Sequence, residues 1–268
     1  MKTSGPRMGA CMGMIAAGGV SRSFLSRMPV LLARMGPVKA ASFRVARRIA
    51  NTLRAGHAVM NYAALEPCDL IWIAVPEAGI DRVSRDLAAA TPLSGKVAVL
   101  CGSTRDSFWP GPLLAGGARV ATLNSVEESG ERVFVAEGDP AAMRELRRVI
   151  AAERRKLIEL RAASKALYFS GVHLATHLLL PWIAASVESL RDAGLSRVEA
   201  THVANTLGGR ALRAYAKAGP KAWSPLAAER LRLSIARDLD TIRGVDPKLA
   251  ALYADGVDQA LRYFDSRK

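Results

Sequence analysis

The run Cys68-Asp69-Leu70-Ile71-Trp72-Ile73-Ala74-Val75-Pro76 constrains this chain more than any other stretch. A strand with one face in water alternates apolar and polar residues. A nearly continuous apolar run ended by proline is the pattern of a strand covered on both faces, as in a parallel sheet between two helical layers. Its neighbours fit such a sheet. Met12 to Ile15, Val38 to Phe43, Ala58 to Met60, Lys96 to Cys101, Arg119 to Leu123, Arg132 to Ala136 and Lys156 to Leu160 read as further strands. Between them, Arg44 to Ala55 and Ile80 to Ala90 have helical periodicity, Thr104 to Leu114 reads as helix or loop, and Asp139-Pro140 supplies a cap and a first-turn proline. Alternating strands and helices with short links imply a doubly wound, mostly parallel α/β sheet.

The first strand leads into Ala16-Ala17-Gly18-Gly19-Val20-Ser21, small residues suited to a tight turn before a helix. A helix start presents free N–H groups and the positive end of its dipole, and small residues let a pyrophosphate approach the backbone. The dinucleotide fingerprint is G-x-G-x-x-G or A; here Ala16-x-Gly18-x-x-Ser21 keeps the middle glycine, the one the pyrophosphate most needs. A plain strand–helix turn fits the same residues. If a dinucleotide sits there, Val75-Pro76 and Cys101-Gly102 at neighbouring strand ends form the rest of the cleft floor.

From Arg161 the pattern changes. Ala162 to Ala193 reads as a long helix kinked at Pro181 and ended by Gly194, and Ser196-Arg197-Val198-Glu199 is a capping box. Further helices follow from Ser196 to Gly219-Pro220, from Ser224-Pro225 to Gly244, and from Asp246-Pro247 onward. The expected division is residues 1–160 for the sheet domain and 161–268 for an all-helical domain. The long helix is apolar around more of its circumference than one packed face needs, which predicts a homodimer through the helical half.

Lys plus Arg number 38 against 24 Asp plus Glu, a formal net charge of +14, which favours anionic ligands. The charge is spread along the chain with no helix-turn-helix, zinc finger or aromatic-interleaved sheet motif, so a nucleic-acid partner is not expected. Three widely spaced cysteines, Cys11, Cys68 and Cys101, suggest neither a disulfide framework nor a zinc site and fit a reducing cytoplasm. The N-terminus does not have the order of a signal peptide. Val172 to Val187 is apolar but holds His173, His177 and Pro181, so no membrane span is expected.

No acidic residue occurs before Glu66, although ten basic ones do. NAD-binding folds usually place a carboxylate at the end of the second strand to take the ribose hydroxyls. Here that place reads Ser42-Phe43-Arg44, with Arg47 and Arg48 one turn on, and a hydroxyl among guanidinium groups suits the 2′-phosphate of NADP. The competing reading is a solvated basic helix face.

IAAGGVSRSFLSRMP, GPVKAASFRVARRIA, CDLIWIAVPEAGIDRV, KVAVLC and FVAEGDPAAMREL, followed by a helical half, resemble the uncharacterised bacterial Rossmann-like family designated DUF2520. That family is related to the 6-phosphogluconate dehydrogenase, hydroxyisobutyrate dehydrogenase and pyrroline-carboxylate reductase superfamily. The resemblance implies an NAD(P)-binding domain, a helical dimerisation domain and a cleft for an unidentified substrate. It also implies departures: Ala16 and Ser21 stand where relatives have glycines, Asn124-Ser125 where they tend to have His-Pro, and Tyr168-Phe169 where they tend to have Tyr-His. Lys165 stands where the hydroxyacid dehydrogenase relatives place a lysine, with Phe169 in place of their companion asparagine.

Hydride transfer asks of the protein chiefly positioning and a group that gives or takes a proton. Lys165, Tyr168 and Asn124 are the candidate catalytic residues; for Lys165 an ordinary surface lysine is the competing reading. His173 and His177, one turn apart, lack a third zinc ligand nearby, so no metal is expected. The expected activity is an NADP-dependent oxidoreductase acting on a small, anionic carbonyl or imine substrate. The alternative is a catalytically degenerate NADP(H)-binding dimer with a sensing or structural role.

Overall fold

The computed structural model describes residues 11–17, 28–127 and 132–265. The chain falls into two compact units, Met1–Gly171 and Val172–Lys268. In the first, the described strands are β1 (Met12–Ala16), β2 (Met35–Lys39), β3 (His57–Ala58), β4 (Leu70–Ala74), β5 (Val97–Cys101), β6 (Arg119–Glu127), β7 (Arg132–Gly138) and β8 (Lys156–Glu159). They form one sheet in the order β3-β2-β1-β4-β5-β6-β7-β8. Every neighbouring pair is parallel except β6 with β7. The described helices of this unit are α1 (Pro29–Leu32), α2 (Phe43–Leu53), α3 (Glu77–Ala90), α4 (Gly111–Ala115) and α5 (Pro140–Ala152).

Every residue of β1, β4 and β5 is buried, as the unbroken apolar runs require. Their side chains divide by parity. Met14, Trp72 and Val99 face one way and pack with Ile49 of α2 and Leu146 and Ile150 of α5. Ile15, Ile71, Ile73 and Leu100 face the other way and pack with Ile80 and Leu87 of α3 and Leu113 of α4. Burying each such side chain contributes about 1.5–3 kcal/mol, so these two layers hold the sheet together.

Some boundaries differ from the expected ones. β2 starts at Met35 and ends at Lys39, earlier than the expected Val38 to Phe43, and Pro37 lies inside it. Its register with β1 shifts between Met12 and Met14, the kind of irregularity where a strand tolerates a residue with no N–H. The residues that follow are held by the next helix: extended Ser42 caps α2 by accepting the Val45 N–H at 3.3 Å. β6 continues past Leu123 to Glu127 because β7 pairs with it residue for residue from Ala121–Gly138 to Glu127–Arg132, so backbone bonding extends a strand that side-chain pattern alone would end.

The helical region comprises α6 (Lys165–Ala175), α7 (Leu180–Asp192), α8 (Arg197–Ala218), α9 (Pro225–Val245) and α10 (Pro247–Asp265); the second unit begins within α6. The expected single helix is two, because Pro181 brings no N–H to the turn before it and Leu178 and Leu179 close turn bonds onto His173 and Thr176. α8 opens on the expected capping box, with Ser196 and Glu199 bonded reciprocally. α9 runs through Gly244 rather than stopping there. Asp246 caps α10 by accepting the N–H groups of Lys248 and Leu249. Trp223 stacks on Phe264 with ring centroids 4.9 Å apart, beside an apolar groove of about 810 Å³.

Within Lys165–Asp192 an 18-residue stretch of mean hydropathy 1.2 is, by length and composition alone, long and apolar enough to cross a membrane, and none of that stretch is buried within the chain. Leu174, Leu178, Leu180 and Ile183 in it are 45–65% exposed.

Candidate functional site

The order of the sheet makes a crevice between β1 and β4, the point from which the chain winds in opposite directions and beyond whose carboxyl ends ligands bind in open α/β sheets. Ala16 is level with Ala74, and Cys101 with Leu123, so Ala16-Ala17, Val75-Pro76, Cys101-Gly102 and Asn124 all lie at this edge. Gly18, Gly19, Val20 and Ser21 lie outside the described residues. Gly102 has φ +76° and open space where a Cβ would stand, leaving backbone exposed to a ligand.

At the end of β2, the start of α2 has no acidic residue in its first turn, and Ser42, Arg44, Arg47 and Arg48 are all exposed. The Ser42 oxygen already accepts the capping bond, so toward a ligand its hydroxyl can act as a donor. Lys39, at the last position of β2, is buried: its ammonium donates to the Ala40 carbonyl and lies 4.8 Å from the centroid of the Tyr62 ring. Charge runs in a sequence do not distinguish this inward cation from the outward arginines.

Lys165 is not a surface lysine; it is 2% exposed at the start of α6, and its Nζ has no hydrogen-bond partner among the described residues. Burial lowers its pKa to about 8, against the pull of Glu137, Glu77, Asp106 and Cys101 around it. The Cys101 thiol is pushed up to about 12 by burial, with Lys165 acting in the opposite sense, so it stays protonated. Asn124, also buried, donates through Nδ2 to the Ser103 carbonyl at 3.1 Å and leaves Oδ1 without a partner among the described residues. Buried polar atoms are rarely left unbonded, so this unfilled donor and this unfilled acceptor are candidates for bonds to a polar ligand. Tyr168 is half-buried, its hydroxyl pKa raised by burial, and its ring meets Phe169 edge-on at 5.1 Å.

Two acids place this edge, and sequence reasoning assigned a role to neither. Glu137 of β7, 1% exposed, accepts from the Ser107 N–H at 2.7 Å, the Ser107 hydroxyl at 2.9 Å and the Thr122 hydroxyl at 3.0 Å, pinning the segment after β5 to the sheet. Its only sequence signal is an acid directly after the apolar run Phe134-Val135-Ala136. Glu77, the first residue of α3, accepts from the Thr104 hydroxyl and N–H and from the Arg105 guanidinium. Burial would raise its pKa, but these bonds outweigh it and hold the carboxyl below the usual range. Arg105 also stacks on Trp109, 4.2 Å from the ring centroid.

His173 and His177 bring their Nδ1 atoms to 3.5 Å on an exposed face, and no group of three or more metal-ligating side chains occurs among the described residues.

No protein-family model matches the chain, and no curated protein matches it in sequence. Solved structures do match it in shape over almost all of their length and of this chain's. Protein TM1727 from Thermotoga maritima is similar with a TM-score of 0.68 at 17% identity, covering 96% of this chain and 100% of that one. An imine reductase from Myxococcus stipitatus, in complex with NADP+, matches with a TM-score of 0.67 at 13% identity, covering 94% of each chain. A reductive aminase from Aspergillus terreus, in complex with NADPH and ethyl-5-oxohexanoate, matches with a TM-score of 0.64 at 16% identity, covering 95% of this chain and 94% of that one. At these identities the likeness is one of fold, and the fold is a Rossmann-like, doubly wound, mostly parallel α/β sheet followed by an all-helical C-terminal region.

Proposed function

We propose that the protein is an NADP-dependent oxidoreductase acting on a small, anionic carbonyl or imine substrate, and that it works as a homodimer through its helical half. The observation that carries this reading is the unpartnered pair of buried groups, Lys165 Nζ and Asn124 Oδ1, at the carboxyl edge of the sheet. A bound nicotinamide supplies hydride. Lys165, poised by burial near neutral pH, holds and gives the proton at the substrate oxygen or nitrogen, and its charge attracts an anionic group. Asn124 Oδ1 accepts from an N–H or O–H of whichever ligand fills that edge, and Tyr168 donates a hydrogen bond beside Lys165. Ala16 to Ser21, Val75-Pro76 and Cys101-Gly102 hold the dinucleotide; Ser42, Arg44 and Arg47 take the 2′-phosphate. The NADPH and NADP+ bound in the two reductases above support this cofactor. Cytoplasmic residence belongs to the same proposal, supported by three free thiols.

Thermal-shift measurement with NADP(H), with NAD(H) and without ligand tests the reading. A ligand bound to the native state alone at a hundredfold excess over its dissociation constant stabilises by about 2.7 kcal/mol, a visible shift. NADP should bind at least about tenfold tighter than NAD, and Arg44→Ala should weaken NADP while leaving NAD nearly unchanged. Equal binding of the two at low salt makes the basic helix start an ordinary solvated face and removes the cofactor assignment. The second reading, a binding dimer without turnover, is favoured by Phe169, whose ring stands 5.9 Å from Lys165 Nζ where relatives keep a polar partner. Tight NADP(H) binding with no turnover across carbonyl and imine substrates selects it.

A further inference from the structure

Cys11 and Cys68 are both free thiols, and their sulfur atoms lie 3.4 Å apart. They sit at the amino ends of β1 and β4, the opposite edge of the sheet from the dinucleotide crevice. The strands hold them there: Met12 pairs with Leu70, and the Asp69 N–H donates to the Cys11 carbonyl at 3.2 Å. Two glycines make the room. A Cβ on Gly36 would stand 2.6 Å from the Cys11 sulfur, and one on Gly13 would stand 3.1 Å from the Cys68 sulfur. The Lys96 ammonium donates to the Glu66 carbonyl and, at 2.9 Å, to the Cys68 carbonyl, fixing a positive charge next to the pair. Cys11 is half-buried and Cys68 fully buried, so the two differ in access to solvent. Cys101, the third thiol, is buried on β5, and among the described residues its sulfur donates to the Val99 carbonyl at 3.7 Å.

We propose that Cys11 and Cys68 form a peroxide-oxidisable dithiol that closes into an intramolecular disulfide across the amino ends of the two central strands. The Cys11 sulfur, the more accessible, attacks a hydroperoxide: the O–O bond breaks, Cys11 becomes a sulfenic acid, and water or an alcohol leaves. The Cys68 sulfur then attacks the Cys11 sulfur, the S–O bond breaks, and the hydroxyl departs with the Cys68 proton as water. With hydrogen peroxide, two thiols and one peroxide give one disulfide and two waters. The sulfurs must close from 3.4 Å to about 2.05 Å, a movement within reach of side-chain rotation. The second step is the slower one, because burial and the contact with Cys11 push the Cys68 thiol up to about 12. The bond joins residues 57 apart in sequence, and closing a loop of that length in the unfolded chain raises stability.

Titration of the reduced full-length protein with hydrogen peroxide, followed by alkylation and peptide mapping by mass spectrometry without reductant, tests the proposal. Free thiols should fall from three to one, with a cross-linked peptide containing Cys11 and Cys68, Cys101 still alkylatable after unfolding, and full reversal by dithiothreitol. The melting midpoint of the oxidised form should rise by roughly 5 °C or more. In Cys68→Ser, dimedone should trap a sulfenic acid on Cys11 and no intramolecular cross-link should form. Oxidation of Cys11 to a sulfinic acid with Cys68 still alkylatable overturns the proposal, as does a cross-link that joins two chains or contains Cys101. Because the mapping is read on the unaltered chain, a Cys68→Ser protein that fails to fold does not obscure the result.

Discussion

At the scale of single residues, Lys165 holds the most consequential position. A buried amine without a hydrogen-bond partner disfavours its own charged form, and here the folded pKa falls from 10.5 to about 8. Each unit corresponds to about 1.4 kcal/mol, so holding the charge in the folded state costs about 3 kcal/mol. Below pH 8 both folded and unfolded chains keep the proton and the cost is present in full. Between pH 8 and 10.5 the unfolded chain binds more protons, so stability rises with pH; above 10.5 the cost is gone. Lys165→Met should therefore stabilise the protein by about 3 kcal/mol at pH 7 and by progressively less toward pH 10.5. Urea denaturation at pH 7 and pH 10 checks this: an equal gain at both would mean that charge burial is not the cause.

Among the elements, the antiparallel β6–β7 pair leaves little slack. Gly138 faces Ala121 across the pair, and a Cβ there would stand 2.5 Å from the Ala121 Cα and 2.6 Å from the Val120 carbonyl oxygen. Both obstacles are backbone of a central strand, which cannot rotate away as a side chain can. Gly138→Ala should therefore cost about 2–3 kcal/mol and pull Glu137, the neighbouring residue, off its three bonds to Ser107 and Thr122. Thermal unfolding combined with hydrogen exchange at the Ser107 amide would check it; wild-type protection in the variant would show that the pair can shift without disturbing Glu137.

At the scale of the whole molecule, the proposed homodimer would cover the exposed apolar stretch of α6 and α7. Leucines that are half exposed or more, over several turns, make a patch of the kind that marks an interface. Light scattering at micromolar concentration should report twice the 28.6 kDa chain mass. The association should persist in high salt, since apolar burial rather than charge drives it. Leu178→Glu combined with Ile183→Glu should shift the protein toward monomer, and a wild-type monomer would refute the dimer outright.

Local chemistry made much of this protein legible in its sequence. Uninterrupted apolar runs cannot be stable with a wet face, so β1, β4 and β5 and the two covering layers follow from them. Caps act over three or four residues, so Asp139, Ser196 and Asp246 announce the helices they start, while the Ser42 cap of α2 shows only in the structure. The extent of β6 and the two-part α6–α7 stretch did not follow, because backbone pairing with a distant strand and the turn before a proline are not coded in side-chain periodicity. The site divides in the same way. The position of Ala16, Val75 and Cys101 at the carboxyl ends of neighbouring strands, where the candidate site was expected, follows from strand order, whereas the inward turn of Lys39 and Lys165 and the three hydrogen bonds accepted by Glu137 depend on what surrounds each side chain. Whether a charge is solvated or buried is set by groups dozens of residues away in the chain, and only the tertiary structure brings those together.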